Sequence, residues 1–78
     1  MGERQSTIDI ICGAYDRLPG TEAKVADFVV RNASRVPFLS VREIAESSGT
    51  SAATVSRFVR HIGFDSFSDL RMTIASEE

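Results

Sequence analysis

The segment formed by residues 40–64 does most to restrict what this chain can fold into. It contains two helical hydrophobic patterns with Gly49 between them. Ser40 and Glu43 have the spacing of a capping box, in which each side chain satisfies a free amide at the start of a helix. Gly49 can adopt the backbone conformation that ends a helix, and Ser51 is a natural N-cap for the next one. The segment therefore predicts two short helices joined by a tight glycine turn.

The rest of the chain is also helical in its periodicity, and it shows no strand-like alternation or hairpin signal. Pro19 and Gly20 interrupt it once, and Pro37 lies in a loop between two helical patterns. Helices joined by short loops bury their apolar stripes against one another, so we predict an all-α five-helix bundle containing a helix-turn-helix. The predicted helices cover about residues 6–18, 21–32, 40–48, 51–62 and 66–75.

The predicted helix after Gly49 has an apolar face and a basic, hydroxyl-rich face. Its apolar residues recur at the spacing of one helical stripe, and they are Val55, Phe58, Val59 and Ile62. The opposite face contains small, hydroxyl-bearing and basic side chains, namely Ala53, Ser56, Arg57, Arg60 and His61. Such a helix anchors on the bundle by one side and presents cationic donors on the other.

The net charge of the chain hides the charge of this segment. The chain has 9 basic and 11 acidic side chains, a formal net charge of −2, whereas DNA-binding domains are usually basic. No acidic residue occurs between Ser47 and Phe64, however, and Arg57, Arg60 and His61 lie together there. A phosphate responds to charge within roughly one Debye length, about 8–10 Å. The local excess of positive charge therefore matters more than the net charge.

This face has the chemistry of DNA recognition in the major groove. Ala52 and Ala53 are small enough to let the helix approach base edges, and Arg57 is placed to donate to guanine O6 and N7. Arg60 lies one turn further along and is expected to contact phosphate, as are hydroxyl groups near the helix ends. The residues predicted to bind DNA are Ser40, Thr50, Ser51, Ala52, Ala53, Thr54, Ser56, Arg57, Arg60 and His61.

Other interpretations of these residues stay open on sequence alone. Capped helices joined by glycine occur in bundles that bind no DNA. The acidic balance and the apolar first helix also fit a helical module for protein interaction or dimerisation. Arg57 and Arg60 are compatible with ordinary solvated surface. His61 is expected first as an exposed structural residue and second as a phosphate contact, and Cys12 as a small core or interface residue.

Length and residue content argue against several classes of protein. The 78 residues suffice for one small domain. No apolar run approaches the roughly 20 residues of a membrane span, and no secretion signal is evident. One cysteine and one histidine cannot make a usual zinc site, and the glycines form no phosphate-binding loop. A lone cysteine fits a reducing compartment, so we predict a cytoplasmic, non-enzymatic domain without metal or cofactor.

Four blocks of the sequence resemble the N-terminal DNA-binding domain of the RpiR/MurR family of bacterial transcriptional regulators. They are TEAKVADFVV at 21–30, SVREIAE at 40–46, GTSAATVSRF at 49–58 and IGFDSFSDLR at 62–71. The last block separates this family from lac-repressor-type proteins, which share only the S-x-x-T-V-S-R segment. The family usually has a proline directly after the Ser or Thr cap of its second helix, whereas Leu18-Pro19-Gly20 shifts the proline here.

The resemblance implies a transcriptional regulator of sugar or phosphosugar metabolism, acting by repression or activation. It implies a homodimer that places two recognition helices about 34 Å apart on an inverted-repeat operator of double-stranded DNA. Family members carry a C-terminal sugar-isomerase-like domain that binds a phosphosugar effector. We expect residues 1–78 to be a single homeodomain-like helix-turn-helix domain without that effector domain. The first helix, with Ile8, Ile11 and Tyr15, is a candidate dimer interface.

Overall fold

The computed structural model describes residues 6–77, and within that range it contains helices and turns but no strand. The prediction of an all-α bundle of five helices is confirmed. Two short 3-10 turns, Tyr15–Arg17 and Val36–Phe38, lie between helices. The helices are α1 (Thr7–Ala14), α2 (Gly20–Arg31), α3 (Val41–Ser48), α4 (Ala52–His61) and α5 (Phe67–Glu77).

Side-chain caps set the starts of α1, α3 and α4, as the sequence predicts. The Glu43 N–H donates to Ser40 Oγ at 3.1 Å, and the Ser40 N–H donates to the Glu43 carboxylate at 2.9 Å, which completes the capping box of α3. At α4 the Thr54 N–H donates to Ser51 Oγ at 3.2 Å. A further capping box between Ser6 and Asp9 starts α1. These bonds satisfy amides that the helices themselves leave free.

The first helix is shorter than predicted. Its α-helical part ends at Ala14 and tightens into the 3-10 turn Tyr15–Arg17, whereas the periodicity predicts helix to about Leu18. Leu18 has φ −87° and ψ 140°, an extended conformation. The cause is Pro19, because its ring disfavours helical geometry in the residue before it. Pro19 then stands at the N-cap of α2, so the shifted proline still marks that helix start.

One apolar core lies where the helices meet, and α4 contributes to it on the predicted side. Val55, Phe58 and Val59 are at most 1% exposed, and Ile62 is 7% exposed. The 3-10 turn adds Val36, which is wholly buried although it lies in a predicted loop. The prediction of Cys12 as a core residue is wrong, because Cys12 is exposed. The core comprises Ile11, Ala14, Val25, Ala26, Val29, Val36, Ile44, Ala45, Val55, Phe58, Val59, Ile62, Leu70 and Ile74.

The turn between α3 and α4 depends on a left-handed glycine. Gly49 has φ 73° and ψ 32°, a region that side-chain-bearing residues avoid. Its N–H donates to the Glu46 carbonyl at 3.3 Å, and the Thr50 N–H donates to the Ala45 carbonyl at 2.8 Å. These paired bonds form a Schellman motif, which ends α3 and redirects the chain. Ala45 is buried where the two helices approach, as the sequence predicts.

Replacing Gly49 with alanine is expected to lower the free energy of unfolding by about 1–2 kcal/mol, the cost of a left-handed non-glycine residue. No atom lies within 4 Å of the added Cβ, so the cost comes from the backbone alone. Gly13→Ala is the matched control, because Gly13 lies in α1 and its Cβ would also meet nothing. Gly13→Ala should instead raise stability by about 0.5–1 kcal/mol. Urea denaturation of both variants measures the difference, and equal effects would contradict the assigned turn.

Candidate nucleic-acid interface

Helix α4 lies against α2 and α3 and leaves one face open. Its buried side is the apolar stripe already described, and Thr54 at 6% exposure belongs to the same side. The opposite side is exposed over the full length of the helix. Its exposed residues are Ala52, Ala53, Ser56, Arg57, Arg60 and His61.

The charges on this open face are positive and largely free. Within residues 6–77, neither Arg57 nor Arg60 forms an ion pair, whereas Arg31 and Arg42 pair along their own helices with Asp27 and Glu46, at 3.1 and 3.6 Å. The first turn of α4 contains no acidic residue, and its last turn contains Arg60 and His61. Cations near a helix C-terminus also interact favourably with the helix dipole.

One acidic residue lies at the border of the face. Asp65, just after α4, lines a small surface pocket together with Arg60 and Ser56. Asp65 follows the acid-free segment in the sequence, and the fold places it near Ser56 and Arg60 of that segment. Asp65 lies beside Arg60, and Arg60 is one turn beyond Arg57 along α4. The first two turns of α4, around Ala53 and Arg57, are therefore the part of this face farthest from the acidic side chain of Asp65.

The hydroxyl groups near the helix ends are already engaged within the domain. Ser51 Oγ accepts from the Thr54 amide and contacts Thr54 Oγ1 at 3.1 Å. Thr50 is half-buried, and its Oγ1 lies 2.9 Å from Ser48 Oγ. Ser40 is exposed at the N-cap of α3, with its Oγ accepting from the Glu43 amide. The hydroxyls of Ser40, Thr50, Ser51 and Thr54 thus each have a partner within the domain, and Thr54 alone among the predicted site residues is buried.

His61 has a partner that the sequence analysis missed. Its Nδ1 makes a hydrogen bond with Oε1 of Glu22, on α2. The Glu22 side chain is 4% exposed and the His61 side chain is 53% exposed. A signal for Glu22 exists in the sequence, because Glu22 stands three and seven residues before Val25 and Val29, on the apolar stripe of α2. A charged residue at such a position needs a partner.

The described residues show no sign of two other kinds of site. His, Cys, Asp and Glu side chains within residues 6–77 form no group of three or more that could hold a metal ion. No helix in that range is long and apolar enough to cross a membrane.

A capped helix, a left-handed glycine turn and a second helix with an open basic face define a helix-turn-helix domain of the kind found in transcriptional regulators. Sequence comparison agrees, because a profile described as the helix-turn-helix domain of the rpiR family matches residues 6–78. The chain belongs to this family, which confirms the resemblance. The family is a class of transcriptional regulators and not a class of enzymes.

Two relatives found by sequence comparison are both described as HTH-type transcriptional regulators. The chain is 42% identical over 55 residues to an uncharacterized HTH-type transcriptional regulator of Caldanaerobacter subterraneus, covering 70% of this chain and 20% of the relative. It is 32% identical over 77 residues to one of Haemophilus influenzae, covering 99% of this chain and 27% of the relative. The chain thus spans about a fifth to a quarter of the length of these relatives.

Two solved structures share the fold. The N-terminal domain of ybbH from Bacillus subtilis superimposes with a TM-score of 0.85 at 29% identity, covering 92% of this chain and 88% of that one. The NanR protein of Vibrio vulnificus, solved in complex with ManNAc-6P, superimposes with a TM-score of 0.88 at 29% identity. That match covers 92% of this chain and 28% of NanR.

Proposed function

We propose that this chain is a sequence-specific DNA-binding domain of a transcriptional regulator, with α4 as the recognition helix in the major groove. The observation that carries the proposal is the open face of α4, where Arg57 and Arg60 are exposed and form no ion pair within residues 6–77. Membership of a helix-turn-helix regulator family supports the same function.

The position of each side chain along α4 suggests its role. The N-terminal part of a recognition helix contacts base edges in helix-turn-helix complexes. Ala52 and Ala53 leave room for that approach, and Arg57 is one turn further on, within reach of a guanine. Arg60 lies near the C-terminal end, where the helix leaves the groove, and meets phosphate. Ser40, Thr50 and Ser51 keep their caps and use their remaining hydrogen-bonding capacity for phosphate oxygens.

Burial changes how Thr54 fits this proposal. At 6% exposure its side chain cannot take a large share of a phosphate contact. Its role is to close the N-cap with Ser51 and so to fix the start of the recognition helix. The other predicted residues keep direct roles. Ser56 stands beside Arg57 on the exposed face, and His61 ends it.

The wider function is proposed by analogy with the family. We infer that the regulator acts in the cytoplasm of a bacterium as a homodimer on an inverted repeat. The regulated genes belong to sugar or phosphosugar metabolism, and a phosphosugar effector acts through a further domain outside residues 1–78. The NanR complex with ManNAc-6P supports the effector class, since NanR contains a similar domain. Of the predicted interface residues, Ile11 is wholly buried in the core of the domain and so cannot line an interface. Exposed Tyr15 lines a groove beside α2 together with Cys12, which keeps the first helix as a candidate dimer interface.

Selection of bound duplexes from a random pool tests the proposal and supplies a specific site. On that site Arg57→Ala should weaken binding by about 1–3 kcal/mol and relax preference at one base pair. Arg60→Ala should weaken binding to all sequences alike and reduce the salt slope by about one. Anisotropy titrations of specific and scrambled duplexes at several salt concentrations measure both effects. Arg42→Ala is the control, because Arg42 already pairs with Glu46 on α3.

Three results would contradict this assignment. Enrichment of no sequence above the starting pool would argue against specific recognition. Unchanged affinity in both the Arg57→Ala and Arg60→Ala variants would remove α4 from the interface. Lack of DNA retention at low salt, with dimerisation intact, would favour the alternative of a helical interaction module.

A further inference from the structure

Glu22 is the one buried carboxylate among the described residues, and its only hydrogen-bond partner there is His61. The bond crosses from α2 to the last residue of α4, the proposed recognition helix. The Glu22 side chain is 4% exposed while the ring of His61 is 53% exposed. Nδ1 of the ring is thus fixed by its hydrogen bond to Glu22, while the rest of the ring is partly exposed to solvent.

This bond determines what the second ring nitrogen can do. When His61 is neutral and its Nδ1–H donates to the Glu22 carboxylate, Nε2 carries no hydrogen and can only accept. A DNA phosphate also only accepts, so it cannot bond to that form of the ring. When the pair takes up one more proton, Nε2 becomes an N–H donor. In this protonated pair, the proton shared between His61 Nδ1 and the Glu22 carboxylate can lie on either group, and Nε2 remains an N–H donor in both cases.

The charges around His61 come from three elements. Glu22 on α2 is in direct contact with the ring. Arg17, from the turn after α1, lines a small surface pocket with His61. Arg57 and Arg60 of α4 add positive charge along the same helix. On the other helices packed against α4, Arg42 pairs with Glu46 on α3 and Arg71 lies over the Phe67 ring on α5. Lys24 on α2 and Asp69 on α5 form no ion pair within residues 6–77.

We propose that Glu22 is a positioning residue for DNA binding, which holds His61 so that Nε2–H donates to a backbone phosphate and couples binding to the uptake of one proton. This inference rests on the proposed function. It differs from a fixed cationic contact such as Arg60, because affinity then falls as pH rises through the range in which histidines titrate, about pH 5 to 8. It also assigns to a buried acidic residue a positive contribution to binding an anion.

The test uses the full chain and a scrambled duplex of about 20 base pairs, roughly two helical turns, titrated from pH 5.5 to 8 at several salt concentrations. Uptake of one proton allows affinity to fall by up to about tenfold per pH unit. Loss of one phosphate contact should reduce the salt slope by about 0.9 between the two ends of this range. Arg60→Ala should lower affinity but keep the same pH dependence.

Three variants separate the roles of the pair. His61→Gln should bind at every pH as weakly as the parent chain does at pH 8. His61→Lys restores a cation beside Glu22, so its affinity should be independent of pH and, at pH 8, higher than that of the parent chain. Glu22→Gln keeps the shape of the side chain but removes its charge, so its pH dependence should differ from that of the parent chain. A purely structural contact would leave the pH dependence unchanged.

The outcomes distinguish this inference from the proposed function. If the parent chain binds no DNA at any pH, the proposed function fails. If it binds DNA with no pH dependence, or if His61→Gln keeps the pH dependence, the phosphate contact through His61 is overturned while DNA binding stands. Circular dichroism of each variant shows whether it is folded. His61→Lys keeps an ion pair with Glu22 and therefore decides the question even if His61→Gln does not fold.

Discussion

Replacing Phe58 with alanine is expected to lower the free energy of unfolding by about 3–5 kcal/mol. Phe58 is wholly buried, and it is the bulkiest of the fully buried side chains. Its removal loses apolar burial and leaves a cavity where α4 meets the rest of the bundle. A domain of this size has a total stability of roughly 0.05–0.15 kcal/mol per residue. The substitution therefore removes a large part of the total.

Urea denaturation followed by circular dichroism measures this loss, and Phe38→Ala is its matched control. Phe38 has the same side chain at 84% exposure, so its removal should change stability by no more than about 0.5 kcal/mol. Equal losses in the two variants would show that Phe58 is not a core residue. The comparison also separates stability from recognition. Phe58→Ala should weaken DNA binding only through the unfolded fraction, whereas Arg57→Ala should weaken binding in a folded domain.

The parts of the fold that follow local rules could be predicted from the sequence. The capping box of Ser40 and Glu43, the N-cap Ser51 and the turn at Gly49 all depend on residues within a few positions of one another. The helical period then separates the two faces of α4, so the buried Phe58 and the exposed Arg57 follow from spacing. These features locate α4, the proposed recognition helix, before any tertiary contact is known.

The contacts that the sequence analysis missed join distant parts of the chain. Glu22 and His61 are 39 positions apart. Thr7 and Glu77 are 70 apart, and the Thr7 N–H donates to the Glu77 carboxylate at 3.1 Å, which brings the start of α1 to the end of α5. Neither the helical hydrophobic period nor a helix-capping pattern connects residues so far apart in the sequence. Only the packing of the helices decides which polar groups meet.

The helical pattern also failed to predict the burial of individual residues at the borders of the apolar stripes and in a loop. Thr54 was predicted as a phosphate contact because it carries a hydroxyl near the start of α4, yet its position is on the buried side. Of the two roles predicted for Cys12, the core role is wrong because Cys12 is exposed, whereas the interface role stays a prediction. Val36 lies in a predicted loop and proved buried, because the 3-10 turn packs against α5. The hydrophobic pattern of a helix predicts the residues at the centre of its apolar stripe more reliably than those at the borders of the stripe.

Replacing His61 with alanine is expected to lower the free energy of unfolding by about 2–3 kcal/mol, because it leaves the Glu22 carboxylate buried without a partner. Breaking a wholly buried ion pair costs about 3–5 kcal/mol. The half-exposed ring lets water reach the carboxylate once it is removed, so the cost here is smaller. Arg60→Ala, one position earlier and exposed, is the control and should cost no more than about 0.5 kcal/mol.

The double variant Glu22→Gln/His61→Ala tests the reason for this loss. A buried neutral amide costs less to desolvate than a buried carboxylate, so the double variant should be more stable than His61→Ala alone. If the loss came only from the missing packing of the ring, adding Glu22→Gln would give no recovery. Urea denaturation of the two single variants and the double variant gives this coupling directly. Recovery in the double variant would show that His61 stabilises the fold by compensating a buried charge, which ties α2 to the end of the recognition helix.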